Sequence, residues 1–319
     1  MSSSGLIDVV LPIFALIGIG YLTSRLNLLS QDIGDALGQF VYTIAIPVLI
    51  FRTLVTADFG NASPWALWAT YFTGALIAWT CGTLVIRKIF RREARAGVIG
   101  GISAAFANTV LVGIPLVGPV YGEEGLGVLF ILLAVHLPVM TIVCTFVMER
   151  ASVVDGYSDP RALRELLWAV CKNLGTSPLV IGIVSGALYS LADFPYGGLP
   201  SDIIDKLAAT AVPIALFSLG MSLRNYGVRG NISAGLILSV IKLALMPAFV
   251  FITGKYVFGL PPMWVAVATV TAGCPTGVNA YIFANRYGTG YAISANTITF
   301  TTAAAVVTTT IILKLLGVP

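Results

Sequence analysis

Two apolar stretches of the chain contain proline, glycine and asparagine, residue types that can open a helix and hydrogen-bond a small molecule. Phe106 to Gly122 reads FANTVLVGIPLVGPVYG, and Thr271 to Gly288 reads TAGCPTGVNAYIFANRYG. Proline removes a backbone donor and clashes with the preceding turn, so we expect each helix to break there. Unwound backbone at membrane depth is tolerated only where protein or a water-filled cavity surrounds it, so the breaks predict a binding site. Its candidate residues are Asn108, Thr109, Gly113, Pro115, Cys274, Pro275, Thr276, Asn279 and Tyr281.

The same two stretches have a plainer interpretation as kinks that improve helix packing. Glycine and proline are commoner in membrane helices than in soluble ones, so a single kink carries little information. Two breaks at matched positions, each with an asparagine and a threonine whose polar groups need partners, favour a binding site.

Three ionisable side chains, Arg52, Lys242 and His136, fall inside apolar stretches. A charge at the bilayer centre costs about 3 kcal/mol on insertion scales, so each is a candidate for function. None of the 14 acidic residues is predicted at mid-membrane. Two fixed cations, Arg52 and Lys242, without a nearby carboxylate favour an anionic substrate.

Each of these three side chains has a functional and a structural interpretation. Arg52 could hold a carboxylate bidentately, or it could be an interfacial arginine beside Asp58. Lys242 could neutralise the negative C-terminal end of a broken helix, in the role of a bound sodium ion, or extend to the membrane surface. His136 could accept a proton near neutral pH, or pack as a hydrogen-bonded core histidine.

The composition is that of a membrane protein. The 319 residues are 57% hydrophobic and 10% charged, and the mean hydropathy is +0.94, whereas soluble domains are about 25% charged. A spanning helix needs about 20 apolar residues, and the sequence predicts an all-α protein with ten such helices. They are placed at 6–24, 36–56, 64–88, 96–119, 125–148, 176–192, 203–223, 232–258, 262–286 and 290–315.

Basic residues predict the orientation of these helices. If the N-terminus lies outside, most of the 18 lysines and arginines fall in cytoplasmic connections, so both termini are predicted outside. The longest connection, 150–175, is a linker containing DPRALRELLWAVCKN. With Asp159 as N-cap and Pro160 at the first helical position, it predicts an amphipathic helix on the cytoplasmic surface.

An internal repeat divides the chain into two five-helix halves, 1–149 and 176–319. An offset of 166 residues pairs Pro12 with Pro178 and Pro47 with Pro213, and it aligns the two proline-containing stretches. Five is odd, so the second half must enter the membrane from the opposite side, which predicts an inverted repeat. The G-x-x-x-G spacing from Gly182 to Gly186 could serve packing within the chain or a homodimer.

Several classes of protein are disfavoured by the sequence. A single histidine and the lack of H-E-x-x-H, G-x-S-x-G or a P-loop leave no catalytic set, so no enzyme is predicted. The four cysteines show no C-x-x-C spacing, so neither a metal nor another cofactor is expected. The basic residues lie at helix ends rather than in a soluble patch, which disfavours nucleic acid as a partner.

The pair ANTVLVGIPL and CPTGVNAYIFANRYG resembles the paired signatures of the auxin efflux carrier family, and the resemblance runs nearly end to end. It implies a ten-helix inverted repeat in which helices 4 and 9 are broken and cross. It also implies a scaffold of helices 1, 2, 6 and 7, which often dimerises in such folds, and a mobile transport domain of helices 3–5 and 8–10. The short linker is similar to that of bacterial members of the inner membrane.

The resemblance and the charges together lead us to expect a carrier of small organic anions that works by elevator-type alternating access. Malonate, malate, lactate and auxin-like acids all fit. The alternatives are a sodium- or proton-coupled carrier of other solutes with the same fold, and an anion channel, since broken helices also line pores. A sodium/proton antiporter would ordinarily need buried carboxylates, and none is predicted.

Overall fold

A computed structural model describes residues 4–56, 64–157, 175–192, 194–226 and 232–318, with isolated positions at 165, 168, 172, 228 and 230. Asp58 and the Asp159–Pro160 start of the predicted linker helix lie outside the described residues.

The described residues form helices, which confirms the all-α membrane class. Six helical segments are long and apolar enough to cross a membrane, and shorter apolar helices accompany them at Val10–Arg25, Pro178–Leu191 and Pro262–Ala272. The six segments are Gln31–Thr56, Pro64–Ile89, Thr109–Val154, Gly198–Tyr226, Ile232–Val257 and Tyr291–Leu315.

The helices follow one another with short connections. The first half contains α1 (Ser4–Arg25), α2 (Gln31–Phe40), α3 (Ile46–Thr56), α4 (Pro64–Leu84), α5 (Ala94–Ala105) and α6 (Ile114–Val154), the last with a non-helical kink at Gly122. The second half contains α7 (Pro178–Leu191), α8 (Gly198–Tyr226), α9 (Ile232–Val240), α10 (Met246–Ile252), α11 (Pro262–Ala272), α12 (Asn279–Tyr287) and α13 (Tyr291–Leu315).

Widened π-helical turns precede three of the prolines. The turns Val41–Ala45, Thr109–Gly113 and Ile241–Leu245 end two residues before Pro47, Pro115 and Pro247. Proline donates no hydrogen bond and its ring needs room beside the previous turn, which a π-bulge provides. The helix therefore continues through Pro115, and the interruption predicted there lies at residues 106–108 instead.

Glycines allow the closest helix contacts. A Cβ added at Gly20 of α1 would collide with the Phe217 carbonyl of α8. A Cβ at Gly182 of α7 would stand 2.7 Å from Pro47 O, and one at Gly186 would stand 3.0 Å from Phe51 Cα of α3. The G-x-x-x-G spacing thus serves packing within the chain, the first of its two interpretations.

Asp155 joins three helices at one end of the bundle. Its carboxylate accepts hydrogen bonds from the N–H groups of Ala94 and Arg95, 2.9 Å each, and so caps α5. The Arg95 side chain donates to Asp155 from Nε (3.3 Å) and to Tyr287 O from Nη1 (3.0 Å), and its guanidinium stacks 3.4 Å from the Tyr157 ring centre. The ends of α5, α6 and α12 are therefore held together.

We expect Asp155→Asn to lower the melting temperature in detergent at pH 7, because the neutral amide accepts only on one oxygen and loses bonds to a charged group, which contribute about 1.5–3 kcal/mol each. Partial burial raises the pKa of Asp155, but hydrogen bonds from Arg95 and Ala94 outweigh it, so the net pKa lies below its usual range. A depressed pKa contributes stability that is present above the unfolded value of about 3.9 and is lost as pH falls through the folded value. The difference between variant and wild type should therefore shrink below about pH 4. Asp32→Asn, at an exposed first-turn carboxylate without a hydrogen bond in the described chain, is the control. Equal melting temperatures at pH 7 would contradict the capping role.

Candidate functional site

The two interrupted segments meet in the middle of the bundle. The Asn108 N–H donates to Pro275 O (2.8 Å), and the Gly277 N–H donates to Phe106 O (2.7 Å). Between these bonds, Ala107 faces Thr276 in an antiparallel bridge. The unwound backbones thus satisfy each other's polar groups, which membrane depth requires.

Side chains behind this crossing hold it in place. Thr276 Oγ1 donates to Ser103 O (2.7 Å), while the Thr276 N–H donates to Thr301 Oγ1 (3.0 Å). A Cβ at Gly277 would stand 3.2 Å from both the Phe106 and the Ala107 carbonyl oxygens, so only glycine allows this approach without displacement. The crossing is consequently a packed structure rather than a loose loop.

Two half-helices begin at the crossing. One starts with the turn Thr109–Gly113 and continues into α6, and the other is α12, which starts at Asn279. Asn108 Oδ1 accepts the Leu111 N–H (3.2 Å) and caps the first. The first N–H groups of a helix have no intrahelical acceptor and carry partial positive charge, so both starts attract anions.

Both starts line a cavity of about 720 Å³. The rest of its wall comes from α2 and the widened turn after it, the last turns of α8, the start of α7 and one side of α6. No lysine or arginine lines it among the described residues, and its charged residue is Asp35. An anion in this cavity would be held by helix ends, amides and hydroxyls rather than by a side-chain cation. The polar wall includes Asp35, Asn108, Thr141, Ser218, Tyr226 and Asn279.

The predicted site residues divide into two groups. Asn108, Thr109 and Asn279 line the cavity, and the Asn279 amide makes no hydrogen bond within the described chain. Tyr281 stands next to the wall, with its ring edge-on to Tyr226 at 5.0 Å. The others lie behind the wall, in or next to the crossing: Gly113, Pro115, Cys274, Pro275 and Thr276.

Arg52 lies outside the cavity, near the end of α3. Its Nη1 is 2.5 Å from Glu123 Oε1 on α6, and its Nε is 2.8 Å from Asp205 Oδ1 on α8. Asp205 also accepts a hydrogen bond from the Tyr196 hydroxyl (2.9 Å). Arg52 therefore forms ion pairs with two carboxylates, which lie 71 and 153 residues away in sequence. The prediction of a cation without a nearby carboxylate was wrong for this residue.

Lys242 is completely buried in the widened turn before α10 and does not extend to the surface. Its Nζ donates to Ala272 O at 2.5 Å and lies 3.4 Å from Met246 Sδ. Ala272 is the last residue of α11, the half-helix that ends at the crossing. The ammonium thus meets the negative end of a broken helix.

His136 is also completely buried, and it does not line the cavity. The rings of Tyr71 and Phe106 meet it edge-on, each with its centre 5.2 Å away. Neither ring nitrogen has a hydrogen-bond partner in the part of the chain that the structure describes. His136 therefore packs in the core as its structural interpretation predicts, but its neighbours are aromatic rings and the predicted hydrogen bond is not found in the described chain.

Sequence reasoning missed the wall contributed by α2 and α8. A usable signal was present, because Gly34 and Gly38 are four residues apart and so share one helix face. That face meets α8, where a Cβ at Gly38 would be 4.0 Å from Ser218 Oγ. Small residues at this spacing indicate a close approach, and Asp35 follows the first of them.

Comparison with known proteins yields one family and several relatives. The chain matches the family described as "Membrane transport protein" over residues 6–313. A protein of Rhizobium meliloti (strain 1021) named "Putative malonate transporter" is 27% identical over 325 residues, 96% of this chain and 94% of the relative. "Auxin efflux carrier component 8" of Arabidopsis thaliana is 21% identical over 328 residues, 88% of this chain and 89% of that protein. An "Uncharacterized transporter" of Methanothermobacter thermautotrophicus is 25% identical over 285 residues, 88% of each chain.

Proposed function

Because this chain belongs to the membrane transport protein family, the family of the auxin efflux carriers, we propose that it is a secondary carrier of small organic anions. Membership makes it a membrane transporter and not an enzyme. The observation that carries the proposal is the cavity into which two half-helix N-termini and the Asn279 amide point.

The chemistry of the cavity fits a carboxylate. Each helix start stabilises an anion by about 0.3–1 kcal/mol, and more when partly buried, while amide donors add directed hydrogen bonds. Malonate, malate, lactate and auxin-like acids present this group, and the names of the relatives mention malonate and auxin. Because the described cavity wall contains no lysine or arginine, we expect it to bind small carboxylates in preference to phosphate esters, which usually require one of these residues.

The ten-helix inverted repeat is part of the proposal. In its support, Pro64–Ile89 and Ile232–Val257 are both 26 residues long, and each ends in a five-residue π-helical turn. Each is followed by a short helix that stops at the crossing, α5 in the first half and α11 in the second. The antiparallel bridge at the crossing is what two oppositely directed halves would produce.

We also propose that the helices form a scaffold and a transport domain that moves as an elevator. In support, α1 packs mainly on α8 and α3 on α7, whereas α4 packs on α5 and α10, and α9 on α13. The cavity lies between the groups, since α2, α7 and α8 face the crossing across it. A shift of the second group would carry Asn108 and Asn279 along the scaffold. The cavity would open alternately to the two sides.

Lys242 provides a reason for such a carrier to work without sodium. Its ammonium takes the position at the negative end of α11 where a bound cation would otherwise be needed. Coupling would then come from the membrane potential or from protons.

Arg52 is proposed to close the cavity at its other end. The cavity lies where α2 begins and α8 ends, whereas Arg52, Glu123 and Asp205 lie where α3 ends and α8 begins. The Arg52–Glu123 pair joins the proposed scaffold to the proposed transport domain. With both termini outside, the structure would be open to the cytoplasm of a bacterial cell and closed by this pair on the outside.

The primary test is uptake into proteoliposomes of labelled mono- and dicarboxylates, with pH, sodium and voltage varied separately. We expect saturable uptake of carboxylates, and an increase of about tenfold in KM for Asn279→Ala, because a hydrogen bond to a charged group contributes about 1.5–3 kcal/mol. Asn225→Ala, at an exposed position of α8 outside the cavity wall, should change nothing. Uptake of cations alone would refute the proposal, and conductance without saturation would indicate a channel.

A second test separates closure from substrate binding at Arg52. If the ion pairs hold the closed outer end, Arg52→Gln should change the maximal rate of uptake and leave KM within about twofold, since uniform substrate binding is untouched. Lys255→Gln, which removes an exposed cation without an ion pair in the described chain, is the control. A raised KM at constant maximal rate would instead place the substrate carboxylate on Arg52.

A third test concerns Lys242. Wild-type uptake should be indifferent to sodium, and Lys242→Met should reduce it at least tenfold (about 1.4 kcal/mol) because the negative helix end loses its counter-charge. A melting curve of the purified variant distinguishes lost transport from lost folding, and Lys242→Arg, which keeps the charge, should retain more activity. Full transport in Lys242→Met with unchanged pH and sodium dependence would exclude charge compensation.

A further inference from the structure

We propose that a groove formed by α1, α8 and α13 binds one anionic phospholipid, with its phosphate at Arg25 and Arg224 and an acyl chain along the groove. The groove has a volume of about 810 Å³ and is separate from the cavity at the crossing. It goes beyond the carrier function, because no step of anion transport uses it.

The deep part of the groove is suited to a hydrocarbon chain. Phe14 and Ile17 of α1 face Val306 of α13 across it. Two threonines also line it, but Thr299 Oγ1 donates to Ala295 O (2.9 Å) and Thr302 Oγ1 to Ile298 O (2.7 Å). Because both hydroxyls already donate within their own helix, the deep part does not require a polar ligand.

The mouth of the groove is suited to a phosphate. Arg25 and Arg224 both line it, and neither has a carboxylate partner among the described residues. Arg25 Nη1 donates to the Tyr21 hydroxyl (3.1 Å), while Arg224 Nη1 donates to Ser24 O and to Asn27 Oδ1 (2.7 Å). These bonds use one nitrogen of each guanidinium and orient it, so the remaining N–H groups are available to phosphate oxygens at reduced entropic cost.

Gly18 leaves room for the lipid on the α1 wall. A Cβ added at Gly18 has no heavy atom within 4 Å, although the residue lies inside a helix and lines the groove. A larger side chain at this position would therefore fill the groove without disturbing the packed bundle. Such a substitution does not change Arg25 or Arg224, so it tests the apolar part of the groove separately.

A phospholipid fits these features better than a free anion does, since both arginines line the same groove as the apolar side chains of α1 and α13. Basic pockets between membrane helices on the cytoplasmic side recognise anionic head groups. The groove also joins α1 and α8 of the proposed scaffold to α13 of the proposed transport domain. A lipid bound there would contact both groups.

Native mass spectrometry of the purified full-length protein tests this binding without reference to transport. Dioleoyl phosphatidylglycerol and dioleoyl phosphatidylcholine share their chains and differ in net charge. We expect at least tenfold tighter retention of phosphatidylglycerol, and loss of that preference in the double variant Arg25→Gln and Arg224→Gln. Gly18→Leu should weaken both lipids at least fivefold with its arginines intact. Lys88→Gln, at an exposed cation of the first half outside the groove, should behave as wild type.

Three results would overturn the proposal. The first is equal retention of the two lipids by the wild-type protein. The second is unchanged phosphatidylglycerol binding in Gly18→Leu, a variant expected to fold because its new side chain meets open space. The third is displacement of the lipid by glycerol phosphate at equal concentration, which would identify a site for the free phosphate group.

Discussion

The backbone pairing of two unwound segments is the contact on which the arrangement of the site depends. The Asn108 N–H donates to Pro275 O and the Gly277 N–H donates to Phe106 O, and all four residues are buried, so an unmade bond would be costly. Because the backbone groups of each segment are the hydrogen-bond partners of the other, moving one segment alone would break these bonds. The pairing therefore fixes the relative orientation of the half-helices that leave the crossing. The same pairing aims two helix starts into one cavity.

Charge is distributed around the crossing by the directions of its half-helices. The starts at Thr109 and Asn279 present positive ends to the cavity, while the end of α11 presents a negative end to the protein interior. Lys242 meets that negative end at Ala272. The buried cation is therefore placed behind the cavity, and the described part of the cavity wall presents backbone, amide and hydroxyl donors.

Arg52 and Lys242 are both basic residues in apolar stretches of the sequence, but the structure gives them different surroundings. Both were predicted as cations in apolar surroundings. For Lys242, charge compensation stays a prediction, and the ammonium bonds Ala272 O at a half-helix end, which is a local consequence of a proline-containing break. For Arg52, the partners are Glu123 and Asp205, which belong to distant helices and could not be inferred from spacing. The break predicted at Pro115 was wrong, because a widened turn before it accommodates the proline ring and the helix continues.

Hydrophobic composition and the pairing of proline, glycine and asparagine by themselves determined the membrane class, the two segments that break and three of the cavity residues, Asn108, Thr109 and Asn279. These properties are local, because the free-energy cost of placing proline or a charge in a membrane helix depends on a residue and its neighbours. Only the tertiary structure decided that Cys274, Pro275 and Thr276 lie behind the cavity wall, that Asp35 and Tyr226 are part of that wall, and that Arg52 is paired. Those outcomes depend on how helices distant in sequence pack; a spacing of small residues can mark a face that packs closely, but it does not identify the helix that packs there.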